Sequence, residues 1–241
     1  MASLPRAERG FVLIGAIWLL VLAGAIGAAL LLRSLGEARN AAAESRALSD
    51  RMILDGAGEA AFASLLFDGQ RSPLTGGAGA VTIGGTQVGL RVTSEGSRFD
   101  VNEADPALIE SALRALNVPA AARTRIVAQL TEARTVRRRL ASHAELRRLL
   151  GPDAGPFEDV FTLYSGLAQP AGGQTPEALA RSLAAPAGPP QPIELRGGTP
   201  IRIDLALPSG ARLTAVARLT AMQDDPLSVQ RWEHRVAAAA E

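Results

Sequence analysis

An uncharged apolar run near the N-terminus constrains this chain more than any other feature. Residues 11–32 contain no Asp, Glu, Lys or Arg. These 22 residues would span roughly 33 Å as an α-helix, which matches the hydrocarbon core of a bilayer. A cleaved secretory signal has a shorter apolar region, about 7–15 residues long, followed by a small-residue cleavage site. The run therefore favours a retained membrane helix over a discarded signal.

The residues on either side of the run separate a plain signal anchor from a leader that is cut and kept. Arg6 and Arg9 precede Gly10-Phe11, and this arrangement resembles the leader of type IV pilin-like proteins, which a dedicated peptidase cuts after a glycine. Residues 33–66 contain no proline and are rich in good helix formers, so the helix is expected to continue and to end soon after residue 66. A stripe of small and apolar residues is predicted along it, at Leu35, Ala38, Ala42, Ser49, Met52, Ala60 and Ala63. A plain anchor would more often meet a linker, so the pattern favours the pilin-like leader.

Composition excludes several kinds of site. The chain has no cysteine, which rules out a disulfide framework, a thiol nucleophile and a cysteine-ligated metal. The net charge of +1 gives no strong field to attract nucleic acid. No nucleophile elbow and no phosphate loop is present. His143 and His234, the two histidines, lie in charged stretches, are expected to be exposed and form no metal-binding spacing.

The remainder of the chain reads as strands, then helices, then strands. Two strands at 80–84 and 86–94 are predicted to form a hairpin through Gly84 and Gly85. Helices are predicted from Pro106, with Asp105 as N-cap, over 120–139, and after Ser142, with Glu145 as its capping-box partner. Further strands are predicted at 200–208, 212–222 and 226–234. This order predicts an α+β fold whose antiparallel sheet packs on the end of the long helix, with Trp232 at that contact.

A family resemblance covers about residues 6–235. Gly96, Asp100, Val101, Asn102 and Ala104 match a Gly…Asp-(Leu/Val)-Asn-x-Ala segment of the type II secretion system minor pseudopilin K family. Three further stretches, SHAELRRLLG, FEDVFTLYSG and RLTAVARLT followed by PLSVQRWEH, resemble later segments of that family in the same order. From the residues alone, Asp100 and Asn102 are predicted to tie a loop to the following helix through side-chain hydrogen bonds.

The resemblance implies a non-enzymatic subunit of a periplasmic pseudopilus. The prepilin peptidase would remove the leader after Gly10 and the amine of Phe11 would be methylated. Partners would be minor pseudopilins I and J and the major pseudopilin, and the subunit would start and cap a filament that exports folded proteins. Major pilins and pseudopilins carry a Glu five residues after the cut, whereas this chain has Gly15 there, which fits a subunit at the filament tip with no subunit above it.

The resemblance also implies a domain plan and a location. The protein would cross the inner membrane once, with its N-terminus cytoplasmic and its C-terminal domain periplasmic. The fold would be a pilin-like lollipop with an inserted, helix-hairpin-helix-like α-domain. The expected segments are a leader (1–10), a transmembrane half-helix (11–32), an amphipathic stem (33–67), the sheet (68–99 and 193–235), the α-domain (100–168) and a Pro/Gly/Ala-rich connection with a short helix (169–192).

Two features depart from the family. Its members usually carry an acidic stretch that contributes to calcium sites, but the corresponding residues 128–142 hold Glu132 as their one carboxylate. Calcium prefers six to eight oxygen ligands, so no cofactor or metal is expected here. The α-domain is also shorter than is usual for the family.

Two other functions remain open on the sequence. The helical segment also resembles helix-hairpin-helix DNA-binding modules, and phosphate contacts could come from Arg134, Arg137, Arg138 and Arg139. A DNA-binding minor pilin is therefore the alternative, although a solvated helix face explains the arginines equally simply, since residues 100–168 hold nine acidic and nine basic side chains. A membrane-anchored enzyme or scaffold is the third interpretation.

Overall fold

The structure is a computed structural model that describes residues 6–151, 157–171, 193–195, 198, 200–220 and 227–235, with side chains from residue 17 onward. The predicted short helix at 176–184 lies outside the described residues. Contacts within the chain define two units, Met1–Ser49 and Asp50–Glu241. Helix α1 (Arg6–Phe67, 62 residues) contributes to both.

The described part of the first unit consists of α1 residues with exposed side chains. Every residue from Ile17 to Ser49 is exposed, including Trp18 at 68% and Leu20 at 75%. An 18-residue window within Ile17–Phe67 has a mean hydropathy of 2.0, and none of that window is buried inside the protein. This part of α1 is therefore long and apolar enough to span a membrane.

The second unit is built on a five-stranded antiparallel sheet, as predicted. The spatial order is β1-β2-β5-β6-β7, so the hairpin and the three later strands share one sheet. The strands are β1 (Ala78–Ile83), β2 (Thr86–Ser94), β5 (Pro200–Ala206), β6 (Arg212–Leu219) and β7 (Leu227–Arg235). Gly84 and Gly85 both have positive φ values, 54° and 82°, which is the geometry that a two-residue hairpin turn requires.

One face of the sheet packs on the last turns of α1. Leu54, Phe62 and Leu65 are each no more than 2% exposed and join the apolar residues of β2, β5 and β6 in one core. The predicted stripe is wrong here, because Met52 is 66% exposed and Ala60 is only half-buried. The helix carries alanine on several sides, so small residues alone did not reveal which face the sheet covers. That face follows Leu54, Ala57, Gly58, Ala61, Phe62 and Leu65.

Trp232 packs the last strand against α1, as predicted. Its ring lies 6.4 Å from that of Phe62, and its indole Nε1 donates a 2.7 Å hydrogen bond to the Asp55 carboxylate. A Cβ at Gly58 would come within 2.8 Å of the Trp232 ring. Glycine in a helix interior costs about 1 kcal/mol relative to alanine, and here it allows the strand to approach the helix closely.

Between β2 and β5 the described residues include three α-helices, α2 (Pro106–Ala115), α3 (Ala120–Thr135) and α4 (His143–Leu150). Asp105 caps α2 by accepting from the Ala107 amide at 2.8 Å, and Ser142 caps α4 by accepting from the Glu145 amide at 3.2 Å. Both caps were predicted. The Glu145 carboxylate reaches the amide of Ala141, one residue before the predicted partner.

Helix α3 ends four residues before its predicted end at 139. Arg137 adopts a left-handed conformation, with φ of 55°. The Arg138 amide donates to the Ala133 carbonyl at 2.8 Å, which closes the helix. Left-handed residues at helix ends are usually glycine. The end of α3 therefore could not be predicted from a sequence that has arginine at this position.

The three helices enclose a second core, distinct from the core on α1. It is formed by buried side chains that include Ile109, Leu113, Ile126, Leu146 and Phe161. Two short strands, β3 (Phe99–Asp100) and β4 (Phe161–Thr162), pair in parallel beside it. The residues that begin and end this helical segment are therefore neighbours in space.

Candidate functional site

The predicted processing site falls in the first turns of α1. Arg6, Arg9, Gly10, Phe11 and Gly15 belong to this helix by their backbone, and their side chains lie outside the described residues. The predicted cut after Gly10 and the missing Glu at Gly15 therefore stay predictions.

Asp100 holds together the two ends of the helical segment. Its carboxylate accepts hydrogen bonds from the Asn102 amide at 2.9 Å and the Gly166 amide at 2.7 Å. The side chain is buried in this loop, and burial raises the pKa of Asp100, although the two amide donors oppose the rise. The Asp100 carboxylate thus connects two segments that are 66 residues apart in the chain, which is a structural role.

Asn102 fastens the same loop to the segment before α4. Its side-chain amide donates to the Leu140 carbonyl at 3.1 Å and accepts from the Leu140 amide at 2.8 Å. A single asparagine thus replaces a strand-like pair of backbone hydrogen bonds. Asp100 and Asn102 thus make structural side-chain hydrogen bonds, as predicted, but these join the loop to Gly166 and Leu140 and not to the helix that follows it.

Three of the four arginines considered as phosphate contacts have protein partners. Arg134 is half-buried and donates to the carbonyls of Val101 at 2.8 Å and Ala104 at 2.6 Å, so the prediction of a solvated helix face is wrong for this residue. Arg138 and Arg139 form ion pairs with Glu145 and Glu103.

The turn between α2 and α3 also uses its own amides. The Asn117 amide donates to the Arg114 carbonyl at 2.9 Å, and the Val118 amide donates to the Leu113 carbonyl at 3.0 Å. Amides that already close a helix end are not free to contact phosphate, unlike those of a helix-hairpin-helix turn.

The other face of the sheet carries mostly charged and polar side chains, with Val216 of β6 buried among them. We call it the charged face. Its side chains alternate along each strand with those that pack on α1. They include Arg202 and Asp204 on β5, Thr214 on β6, and Arg231, Glu233 and Arg235 on β7. Glu158, just before β4, lies against this face and is only 13% exposed. No sequence signal identified it, because the carboxylate and its arginines are far apart in the chain.

Glu158 is the centre of an ion-pair network. Its carboxylate contacts Arg231 at 3.3 Å, Arg202 at 3.7 Å and also Arg235, while Arg202 Nη1 donates to the Glu158 carbonyl at 3.0 Å. Burial alone would raise the pKa of Glu158, but the surrounding arginines outweigh it and lower the pKa to about 2. The carboxylate is therefore ionised at every physiological pH and joins the helical segment to the sheet.

His143 lies beside this network and is buried, so the expectation of exposure is wrong. It is 7% exposed, its ring stacks on Tyr164 at 5.3 Å, and its Nδ1 is 3.2 Å from the Tyr164 hydroxyl. Burial and the nearby Arg231 charge lower the pKa of His143 to about 3, so the imidazole is neutral at pH 7. His234, also expected to be exposed, is mostly buried, and its Nε2 lies 2.8 Å from Asp55 on α1.

An apolar groove lies where β7 meets the end of α1. It has a volume of about 430 Å³ and is lined by Phe62, Phe67, Val229 and Trp232, among others. Phe67 is 84% exposed and Val229 is 52% exposed. The groove continues the α1 core to the protein surface.

The described residues contain no group of three or more His, Cys, Asp or Glu side chains placed to hold a metal ion. Glu132, the one carboxylate in the stretch compared with the family's calcium-binding segment, is exposed on α3. The charged groups that the structure does gather are arginine–carboxylate pairs, which neutralise one another.

Comparison of the chain with family models, with curated proteins and with solved structures found no match.

Proposed function

We propose that this protein is a minor pseudopilin of a type II secretion system, a non-enzymatic tip subunit that starts and caps the periplasmic pseudopilus. One observation carries the proposal. A single helix of 62 residues includes both a membrane-length apolar segment with no partner among the described residues and a final stretch buried against an antiparallel sheet. A helix with these two parts is what a filament subunit held in the membrane before assembly requires.

The helical segment supports the assignment to the K-like branch of the family. Under the proposal it is the inserted α-domain, placed between the second strand and the last three strands of the sheet. Its ends meet at the β3–β4 pair and at Asp100, which allows a segment to be inserted without separating the strands on either side. The buried hydrogen bonds of Asp100 and Asn102 give a structural reason for the Asp-Val-Asn motif.

Gly15 supports a position at the tip. In major pilins and pseudopilins, a Glu at this place is thought to pair with the N-terminal amine of a neighbouring subunit during assembly. A chain with Gly15 offers no carboxylate for that pairing. It is suited to the one place in a filament where no subunit follows above.

Under the proposal the protein crosses the inner membrane once, with its C-terminal domain in the periplasm. It would associate with minor pseudopilins I and J and the major pseudopilin after the prepilin peptidase has cut the leader. The DNA-binding alternative is less well supported, since Arg134, Arg138 and Arg139 already have protein partners.

A secretion assay tests the proposed function. Deleting the gene in its host should abolish release of the exoproteins, and the wild-type gene should restore it. A Gly10→Leu variant should fail to restore release, because the bulky side chain blocks the leader peptidase. Gly24→Leu is the matched control, since a side chain at Gly24 meets nothing within 4 Å. Unchanged exoprotein release in the deletion strain would refute the proposal.

A further inference from the structure

The charged face of the sheet contains a cleft with an excess of arginine. Gly89, Ala206, Arg212 and Arg235 form one cross-strand row, in that order, over β2, β5, β6 and β7. Gly89 has no side chain, and a Cβ built there would have the Ala206 carbonyl oxygen, at 3.8 Å, as its nearest described neighbour. The two small residues thus leave an open floor next to two arginines, within a cleft of about 500 Å³.

Two arginines of this cleft, Arg91 and Arg212, are not balanced by carboxylates within the described part of the chain. Arg212 and Arg235 lie directly opposite each other on paired strands, and like charges in that position are destabilising. Arg235 is paired with Glu158 and Glu233. Arg91 and Arg212 are exposed and have no hydrogen-bond or ion-pair partner within the described part of the chain.

The charges lining the cleft define what it can hold. Four arginines (Arg91, Arg202, Arg212 and Arg235) and two aspartates (Asp159 and Asp204) line it. Asp204 is occupied by Arg202 at 2.8 Å and by the Thr214 hydroxyl at 2.8 Å, and Arg235 is occupied by Glu158 and Glu233. Arg91 and Arg212 therefore supply the two positive charges that an anion could meet, and Asp159 would oppose it.

We propose that this cleft binds a phosphate group, held by the guanidinium groups of Arg91 and Arg212 and by Nη1 of Arg235. A phosphate carries a charge of about −1.5 to −2 at pH 7, which matches the two arginines that have no carboxylate partner, whereas one carboxylate would neutralise only one of them. Arginine forks bind phosphate oxygens through paired, charge-assisted hydrogen bonds. The phosphate is either inorganic phosphate or the phosphate monoester of a small molecule. This site does not depend on the proposed role in secretion.

Calorimetric titration of the full chain in neutral-detergent micelles tests the site. Inorganic phosphate and glycerol 3-phosphate are titrated separately at pH 7.5, with sodium chloride keeping the ionic strength constant. One saturable site is expected for at least one of them. Tighter binding of glycerol 3-phosphate would identify a phosphate monoester as the ligand, and equal or tighter binding of inorganic phosphate would identify the free anion.

Charge-removing variants show whether the cleft is the site. Arg91→Gln and Arg212→Gln should each weaken phosphate binding at least about tenfold, since each removes a charge-assisted contact. Arg125→Gln, an exposed arginine on α3, is the matched control and should bind as the wild type does. Without phosphate, Arg212→Gln should unfold at the wild-type temperature or above, because it relieves the repulsion from Arg235.

Two results would overturn the proposal. One is the absence of saturable binding of either probe up to about 10 mM. The other is binding by Arg91→Gln and Arg212→Gln that equals binding by Arg125→Gln. The unfolding temperatures of the variants show whether a loss of binding is due to the removed arginine or to unfolding of the protein.

Discussion

The two faces of the five-stranded sheet are built on different physical principles. One face buries Ile201, Ile203 and Leu213, each 0% exposed, against α1. The other face sets Arg202, Arg231 and neighbouring charges against Glu158 of the helical segment. Apolar burial involves no titratable group and is non-directional. Ion pairs respond to pH and require a particular arrangement of the two side chains.

The difference shows how each partner of the sheet is held. The contact with α1 is a hydrophobic core, and its contribution grows with the apolar area removed from water, about 25 cal/mol per Å². The contact with the helical segment is polar, and the second core of that segment lies on its far side, around Ile109 and Leu146. The helical segment therefore folds around its own core and is joined to the sheet through charges.

The largest effect is expected on the apolar face. Replacing Phe62 by Ala should lower the free energy of unfolding by about 3–5 kcal/mol, since it leaves a cavity between α1 and Trp232. Phe67→Ala is the matched control, five residues further along the same helix, at 84% exposure against 2% for Phe62. Denaturant unfolding of the full chain in micelles measures both. Equal losses for the two variants would show that the sheet does not cover the assigned face of α1.

A smaller effect is expected on the charged face. Glu158→Gln should cost about 2 kcal/mol at pH 7, because it leaves Arg202 and Arg231 buried without their carboxylate partner. Glu110→Gln, which breaks an exposed pair with Arg114, should cost less than about 0.5 kcal/mol. The Glu158 effect should shrink as the pH falls from 4.5 towards 2, the range over which the wild-type carboxylate loses its advantage over the unfolded chain. A loss independent of pH down to pH 2 would contradict the ion-pair role.

The smallest predicted effect concerns His143, and it is read from pH dependence. The pKa of His143 is about 3 in the folded chain and 6.5 without burial, so the unfolded chain binds a proton that the folded chain refuses. Stability should therefore fall as the pH drops below 6.5, and His143 should account for about 1 kcal/mol between pH 6 and pH 5. His143→Phe keeps an aromatic ring on Tyr164 and should remove that part of the slope. Identical slopes for the variant and the wild type would show that His143 is protonated in the folded state.

The sequence predicted those features that local physics specifies. The hairpin at Gly84-Gly85, the N-caps Asp105 and Ser142, and the contact of Trp232 with α1 all follow from residue type and short spacing. The stripe on α1 was wrong, because an alanine-rich helix has no single apolar side, and the burial of His143 was missed, because its partners Tyr164 and Arg231 are distant in the chain. The β3–β4 pair has two residues a strand, too few for any periodicity.

The candidate site divides in the same way. Asp100 and Asn102 were identified from a motif and a structural role was expected of them, but their distant partners, Gly166 and Leu140, were not predicted. Glu158 and the Arg91–Arg212 cleft depend on strand register, since charges on β2, β5, β6 and β7 become neighbours only when the sheet forms. Sequence spacing carries no information of that kind.

The central claim is that the leader is cut while the long helix is kept. Intact-mass spectrometry of the protein extracted from the membranes of its host tests it most directly. The mature chain should begin at Phe11, with one methyl group on its amine. A chain that keeps residues 1–10, or one cut near Ala28–Ala29, would contradict it.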